Sequence, residues 1–240
     1  ISDAKKRLKH AYALNELAVV ETTEITRQLL KSLRISPDSF MQMAMQLAYF
    51  RDQGEFTPTY ETATTRGYFH GRTDTIRPNT VESCKWVKLM QEKDTSALIK
   101  FKQFQRAMKA HLQYVRDACF GAVWDRHLLG LRLIAHEKKL PVPKFFEHKA
   151  FQNLNAFGLS TSNMSIGKGD VPGFGAPFPF SYGVCYAITP EAIVANVTSN
   201  RSCKKKSATR FAKAIELAFH DIISMAKHAK IEQEKQKSKL

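Results

Sequence analysis

Five short stretches concentrate side chains able to do chemistry. They are Thr59-Tyr60-Glu61, Gly71-Arg72-Thr73-Asp74-Thr75-Ile76-Arg77, Asp125-Arg126-His127-Leu128-Leu129-Gly130-Leu131, Leu159-Ser160-Thr161-Ser162 and Tyr182-Gly183-Val184-Cys185-Tyr186. An arginine offers a planar fork suited to a carboxylate or phosphate. A positioned serine hydroxyl can donate to the oxyanion that builds up during acyl transfer. Each residue also has an ordinary reading: an arginine near a helix start is an intrahelical ion-pair partner, and strand hydroxyls pair across strands. Cys84, Cys119, Cys185 and Cys203 lie far apart with no C-x-x-C spacing. That spacing argues for reduced thiols in an intracellular protein, with no zinc site and no metal expected.

The elements that must position these residues can be outlined from periodicity. Leu8, Ala11, Leu14, Leu17 and Ala18 at helical spacing predict a helix through the first 32 residues. Ser36 as cap and Pro37 at the first helical position start a second helix, which carries Phe40, Met43, Leu47 and Phe50 to about residue 52, before Gly54. Residues 57–77 show no clean period and read as strand and loop, where chemistry concentrates. Helices are expected over 80–92, along the stripe Phe101 to Cys119, from Trp124 to Ala135 and over 144–153. Short strands follow at 156–162, 183–188 and 192–199, the first two separated by a long loop rich in glycine and proline. A last helix carries Phe211, Ile215, Phe219, Ile222 and Met225 and is expected to decay into a polar tail. The fold class is therefore α/β, a mixed β-sheet covered by helices in one domain.

The chain has 240 residues, 43% hydrophobic and 25% charged, which excludes disorder and collagen-like repeats. No apolar run approaches the ~20 residues of a transmembrane segment. A net charge of +15 invites a nucleic-acid partner. Much of the excess lies in the lysines after residue 200, however, and reads as a solvated helix face. No glycine-rich RNA motif or basic recognition helix accompanies it, so no nucleic acid is expected.

Together and in order, the five stretches resemble the carnitine and choline acyltransferase family, over roughly residues 20–225. The resemblance implies reversible acyl transfer between acyl-CoA and the carnitine hydroxyl. It implies two related chloramphenicol-acetyltransferase-like domains with the active site in a tunnel between them. This chain is similar to the C-terminal one, as residues 1–225 followed by a polar tail at 226–240. By the same resemblance Arg126 binds the carnitine carboxylate, helped by Tyr60 and Thr73. The choline-using branch lacks that arginine and threonine. Ser162 stabilises the oxyanion and faces the trimethylammonium group, against which Phe174 packs. Arg27 and Lys31 meet the phosphates of coenzyme A, Asp38 contacts its nucleotide side, and Ser160 and Asn163 line its pantetheine arm. The Thr26-Arg27 pair stands where the family usually has Gly-Lys. Glu61 and Arg66 organise the site. No permanently bound cofactor is implied; coenzyme A is a co-substrate.

The family's general base is a histidine in an H-S-x-x-D-G pattern, and none of the eight histidines here sits in that context. With Ile1 as first residue, the expectation is a piece of a longer enzyme whose N-terminal domain carries that histidine. The isolated chain is then inactive. The alternative is a non-catalytic fragment that binds coenzyme A or acyl-CoA. Ser238-Lys239-Leu240 matches the peroxisomal import signal read by a receptor at the C-terminus, which favours the peroxisome over the mitochondrion. Acyl-chain length stays open: Pro172 and Gly173 would deepen the acyl pocket, while Phe178 and Phe180 would refill it.

Overall fold

The computed structural model describes residues 1–164 and 172–238. Its strands are β1 (Asn15–Thr22), β2 (Thr59–Thr64), β3 (Thr73–Ile76), β4 (Leu159–Asn163), β5 (Tyr182–Ile188) and β6 (Ile193–Asn200). They form one sheet in the order β1-β6-β5-β4-β2-β3. β2, β4 and β5 run parallel to one another, while β1, β6 and β3 pair antiparallel with their neighbours. The mixed α/β class read from the sequence is the one observed.

One face of the sheet is covered by α3 (Pro37–Gln53), α5 (Ala97–Cys119) and α9 (Ala208–Lys237). Alternation along the strands puts Leu159, Tyr182, Val184, Tyr186 and Val197 on this side, all without measurable exposure. Phe40 stacks on Phe219 at 5.0 Å and Tyr182 on Phe211 at 4.2 Å, which ties the two long helices to each other and to β5.

The helices start where the sequence supplies caps. Ser36 accepts from the Ser39 amide at the head of α3, Pro37 occupies its first turn, and Gly54 ends it at φ 75°, a conformation that favours glycine. Thr80 and Ser83 close a capping box on α4 (Val81–Gln91). Two caps are long-range. The Glu232 carboxylate accepts from the Ala97 and Leu98 amides at the head of α5. Glu16 accepts from the Ala208 and Thr209 amides at the head of α9, and from the Ser199, Ser207 and Thr209 hydroxyls. Burial pushes Glu16 upward, but these donors outweigh it and hold the carboxyl down at about 2.

Two expectations are corrected. Residues 1–32 are not one helix: α1 (Ser2–Leu14) stops at β1, and α2 (Arg27–Ser32) resumes after it. Asn15–Thr22 joins β6 along its whole length, and that ladder overrides a local spacing that fits a helix equally well. At the other end α9 does not decay after Met225. It runs to Lys237 because Ala226 and Ala229 are buried and Glu232 is engaged with α5. Lys239 and Leu240, with Gly167, Gly169 and Val171 of the long loop, lie outside the described residues.

Candidate functional site

The face opposite the helical core carries hydroxyls. Tyr60 lies beside Ser160, Ser160 beside Gly183 and Gly183 beside Thr198, and Ser162 stands two residues along from Ser160 beside Cys185. α6 (Asp125–Glu137) closes one end of this face. The Arg126 guanidinium donates to the Tyr60 hydroxyl at 3.1 Å, to Thr73 Oγ1 at 3.4 Å and to the Thr73 carbonyl at 3.3 Å. Three residues far apart in sequence thus converge on one point.

The neighbour of Arg126 fixes it there. Asp125 pairs bidentately with Arg77, at 2.7 and 3.0 Å, with both side chains nearly enclosed. Arg77 lies against the rings of Trp124 and Phe157 and donates to the Leu154 carbonyl. The last residue of one sequence stretch therefore holds the first residue of another, and Arg126 is aimed by α6 being pinned at its first turn.

On the same face Phe174 lies over β5 and β6. Its carbonyl accepts from Thr198 Oγ1 at 2.8 Å, and a Cβ on Gly183 would come within 2.6 Å of Thr198 Oγ1 and 3.0 Å of the Phe174 ring edge. Gly183 is needed for this close approach. Ser162 is half-buried and lines a cleft of about 580 Å³ with Thr73, Asp38, Glu61, Arg66, Arg72 and Asn163 among its walls. The cleft opens at the carboxyl ends of the parallel strands β2 and β4, the usual ligand position in such sheets.

Asp38, in the first turn of α3, accepts from Asn163 Nδ2 at 2.9 Å and from the Tyr186 hydroxyl at 2.7 Å. Two of the residues assigned to coenzyme A therefore touch each other. Arg27 reaches the same end of β5 through the Ile188 carbonyl at 2.6 Å, and Lys31 follows one turn later on exposed α2. Neither is brought to the Arg126 group.

The sequence reading missed the polar cluster beneath the cleft. His111 of α5 is fully buried, with Nε2 at 2.7 Å from Glu61 Oε2 and Nδ1 at 2.9 Å from Ser39 Oγ. Gln42 donates to Thr161 and Tyr186, and Thr161 Oγ1 donates to the Tyr60 carbonyl. Burial pushes Glu61 up to about 7 against the pull of His111. Burial pulls His111 down, and Glu61 more than reverses it. The one sequence signal was a histidine on the buried stripe of an amphipathic helix. Asp38, Glu61 and His111 present ligand atoms within 4.8 Å of one another, as a metal site would. Both imidazole nitrogens and Asp38 Oδ1 are already engaged by protein groups, so the donor set does not fit a cation.

Comparisons with known proteins show the family and the fold. Residues 1–217 match the family model "Choline/Carnitine o-acyltransferase". The peroxisomal carnitine O-octanoyltransferase of Mus musculus is 38% identical over 94% of this chain and 37% of its own length. The carnitine O-acetyltransferase of Columba livia is 37% identical over 95% and 36%. The choline O-acetyltransferase of Sus scrofa is 34% identical over 91% and 34%. The chain thus spans little more than a third of these relatives. Among solved structures, a wax ester synthase/diacylglycerol acyltransferase from Marinobacter aquaeolei VT8 superposes with a TM-score of 0.51 at 9% identity, over 89% of this chain and 49% of that one. The condensation domain of the polyketide synthase MokA gives 0.51 at 10% identity, over 90% and 48%. These two share the fold.

Proposed function

The chain belongs to the choline/carnitine O-acyltransferase family, and on that premise we propose that it forms the carnitine-binding part of a carnitine O-acyltransferase. The observation that carries the reading is the convergence of Arg126, Tyr60 and Thr73. A guanidinium flanked by two hydroxyls is a receptor for a carboxylate, which carnitine has and choline lacks. Ser162 on the same face is the donor for the oxyanion formed when the carnitine hydroxyl attacks the thioester, and Phe174 offers its ring to the trimethylammonium group. Coenzyme A runs along β4 toward its carboxyl end, from Ser160 beside Tyr60 to Asn163 and Asp38, with Arg27 and Lys31 for its phosphates.

The general base comes from outside these residues. A base must reach the substrate hydroxyl, and His111, the buried histidine nearest the cleft, is committed to Glu61 and Ser39. The two proton-transfer duties, removal from carnitine and return to coenzyme A, therefore fall to a second domain that closes over the hydroxyl face. The name of the Mus musculus relative supports delivery to the peroxisome, and the Ser238-Lys239-Leu240 tripeptide fits that reading.

Calorimetry of carnitine binding tests the reading. The chain alone should bind carnitine, with no turnover of acetyl- or octanoyl-CoA. Arg126→Ala should weaken binding by about ten- to a hundredfold, the worth of a charged hydrogen-bonded contact. An unchanged affinity in Arg126→Ala would remove the carboxylate site, and acyl transfer by the chain alone would remove the external base.

A further inference from the structure

Ser39, His111 and Glu61 form a continuous hydrogen-bonded row beneath the cleft, and neither carboxylate recognition nor the oxyanion uses it. A buried histidine that only packs needs one partner for its single N–H. Here both nitrogens are engaged, and the far partner, Glu61, is in the wall of the cleft beside Asp38. We propose that His111 is a positioning residue for the acyl-donor side of the reaction, sharing one proton with Glu61 and thereby setting how much negative charge the cleft presents to coenzyme A. The inference rests on the reading of Asp38 and Asn163 as coenzyme A contacts.

The row suits this role because it accepts either state. With its shared proton in place the Glu61–His111 couple is neutral, and imidazolium Nδ1–H can donate to Ser39 Oγ. When the proton leaves, Ser39 rotates to donate to Nδ1, and Glu61 adds its charge to that of Asp38 within 4.8 Å. A ligand bearing several phosphates then meets two carboxylates instead of one. Other polar and charged groups face the couple. Tyr186 on β5 stays a neutral phenol, pushed well up by burial and by Asp38 and Glu61. Arg66 and Arg72 stand on the cleft wall, while Asp74 on β3 and Cys119 farther along α5 border the same side of the sheet. Burial raises Glu61 and the Glu61 carboxylate raises His111, so the couple as a unit gives up its proton on the alkaline side of the usual imidazole range.

The test is coenzyme A affinity of the 240-residue chain, by calorimetry from about pH 6 to about pH 9. The wild type should lose affinity by about three- to tenfold over that range. His111→Gln keeps a donor near the Nε2 position but takes no second proton. Glu61 then loses the imidazolium's pull and stays protonated longer, so the fall moves to higher pH by about one unit. Glu61→Gln, which cannot ionise, should give a flat profile. A purely structural histidine would change stability and leave the shape of the profile alone. If wild type and His111→Gln share one profile, or if Glu61→Gln keeps the wild-type slope, the inference is overturned while the coenzyme A reading stands. If the wild-type chain binds no coenzyme A at any pH, the reading beneath it is overturned and the inference falls with it.

Discussion

Under β5 and β6 the sheet meets α3 and α9 through Tyr182, Val184, Val197, Phe40 and Phe211, a close-packed layer with little polar chemistry in it. Under β2 and β4 the same layer holds Glu61, Thr161, Gln42, Ser39 and His111, joined by hydrogen bonds. Both regions are buried under α3, which α9 joins over the first and α5 over the second. In the first, shape and apolar area give the stability. In the second, every polar atom must find a partner, because an orphan in low dielectric costs about 1–3 kcal/mol. Gln42 Oε1 lacks a protein partner there, so the polar side is the less settled of the two. The polar side is also the one that touches the cleft. Function sits where the layer gives up simple packing for directional bonds.

Three substitutions sharpen or break that contrast. Phe211→Ala opens a cavity between Tyr182 and Tyr49, and urea unfolding should register about 3–5 kcal/mol, alike at mildly acidic and mildly basic pH. A pH-dependent loss there would erase the distinction. On the polar side, His111→Leu strands Glu61 and Ser39 and should cost about 1–3 kcal/mol, part of which returns in the double variant His111→Leu/Glu61→Leu. If the double variant recovers nothing, the network is ordinary packing.

The smallest effect lies at the sheet edge. Glu16→Ala removes a cap from α9, worth about 1 kcal/mol at neutral pH. The folded carboxyl titrates below its unfolded value of 4.5, so its contribution is complete above that value and fades as pH falls through about 2. Wild type and variant should therefore converge in acid. Thermal unfolding curves that stay equally separated at every pH would assign the cap no electrostatic part.

The sequence made α3 legible because Ser36, Pro37, the apolar stripe and Gly54 all act within one helix. The strand β1 was not, since Leu17 and Ala18 satisfy a helical spacing and only the distant β6 makes an extended backbone favourable. Arg126, Tyr60 and Thr73 were named through a family resemblance; residue type and spacing alone favoured an intrahelical ion pair for Arg126. His111 illustrates what stays hidden. Its partners are 50 and 72 residues away, and nothing in its own helix marks it as other than a core position. Arg77 was within a quoted stretch, yet its pairing with Asp125 emerges only when β3 and α6 meet.

The ladder between β1 and β6 has a consequence for how the protein is made. β1 is an outer strand whose neighbour in the sheet is β6, the last of the described strands to leave the ribosome, and its Glu16 waits for the amides of α9, later still. At about 5–20 residues per second, roughly ten to forty seconds separate synthesis of the strand from that of its partner. Throughout that interval Val20, buried once the protein is folded, and the unpaired backbone edge of β1 stand uncovered on a nascent chain, an open edge that a holding chaperone would recognise. A slow codon stretch placed before β6 should therefore lower the soluble yield more than one placed after it.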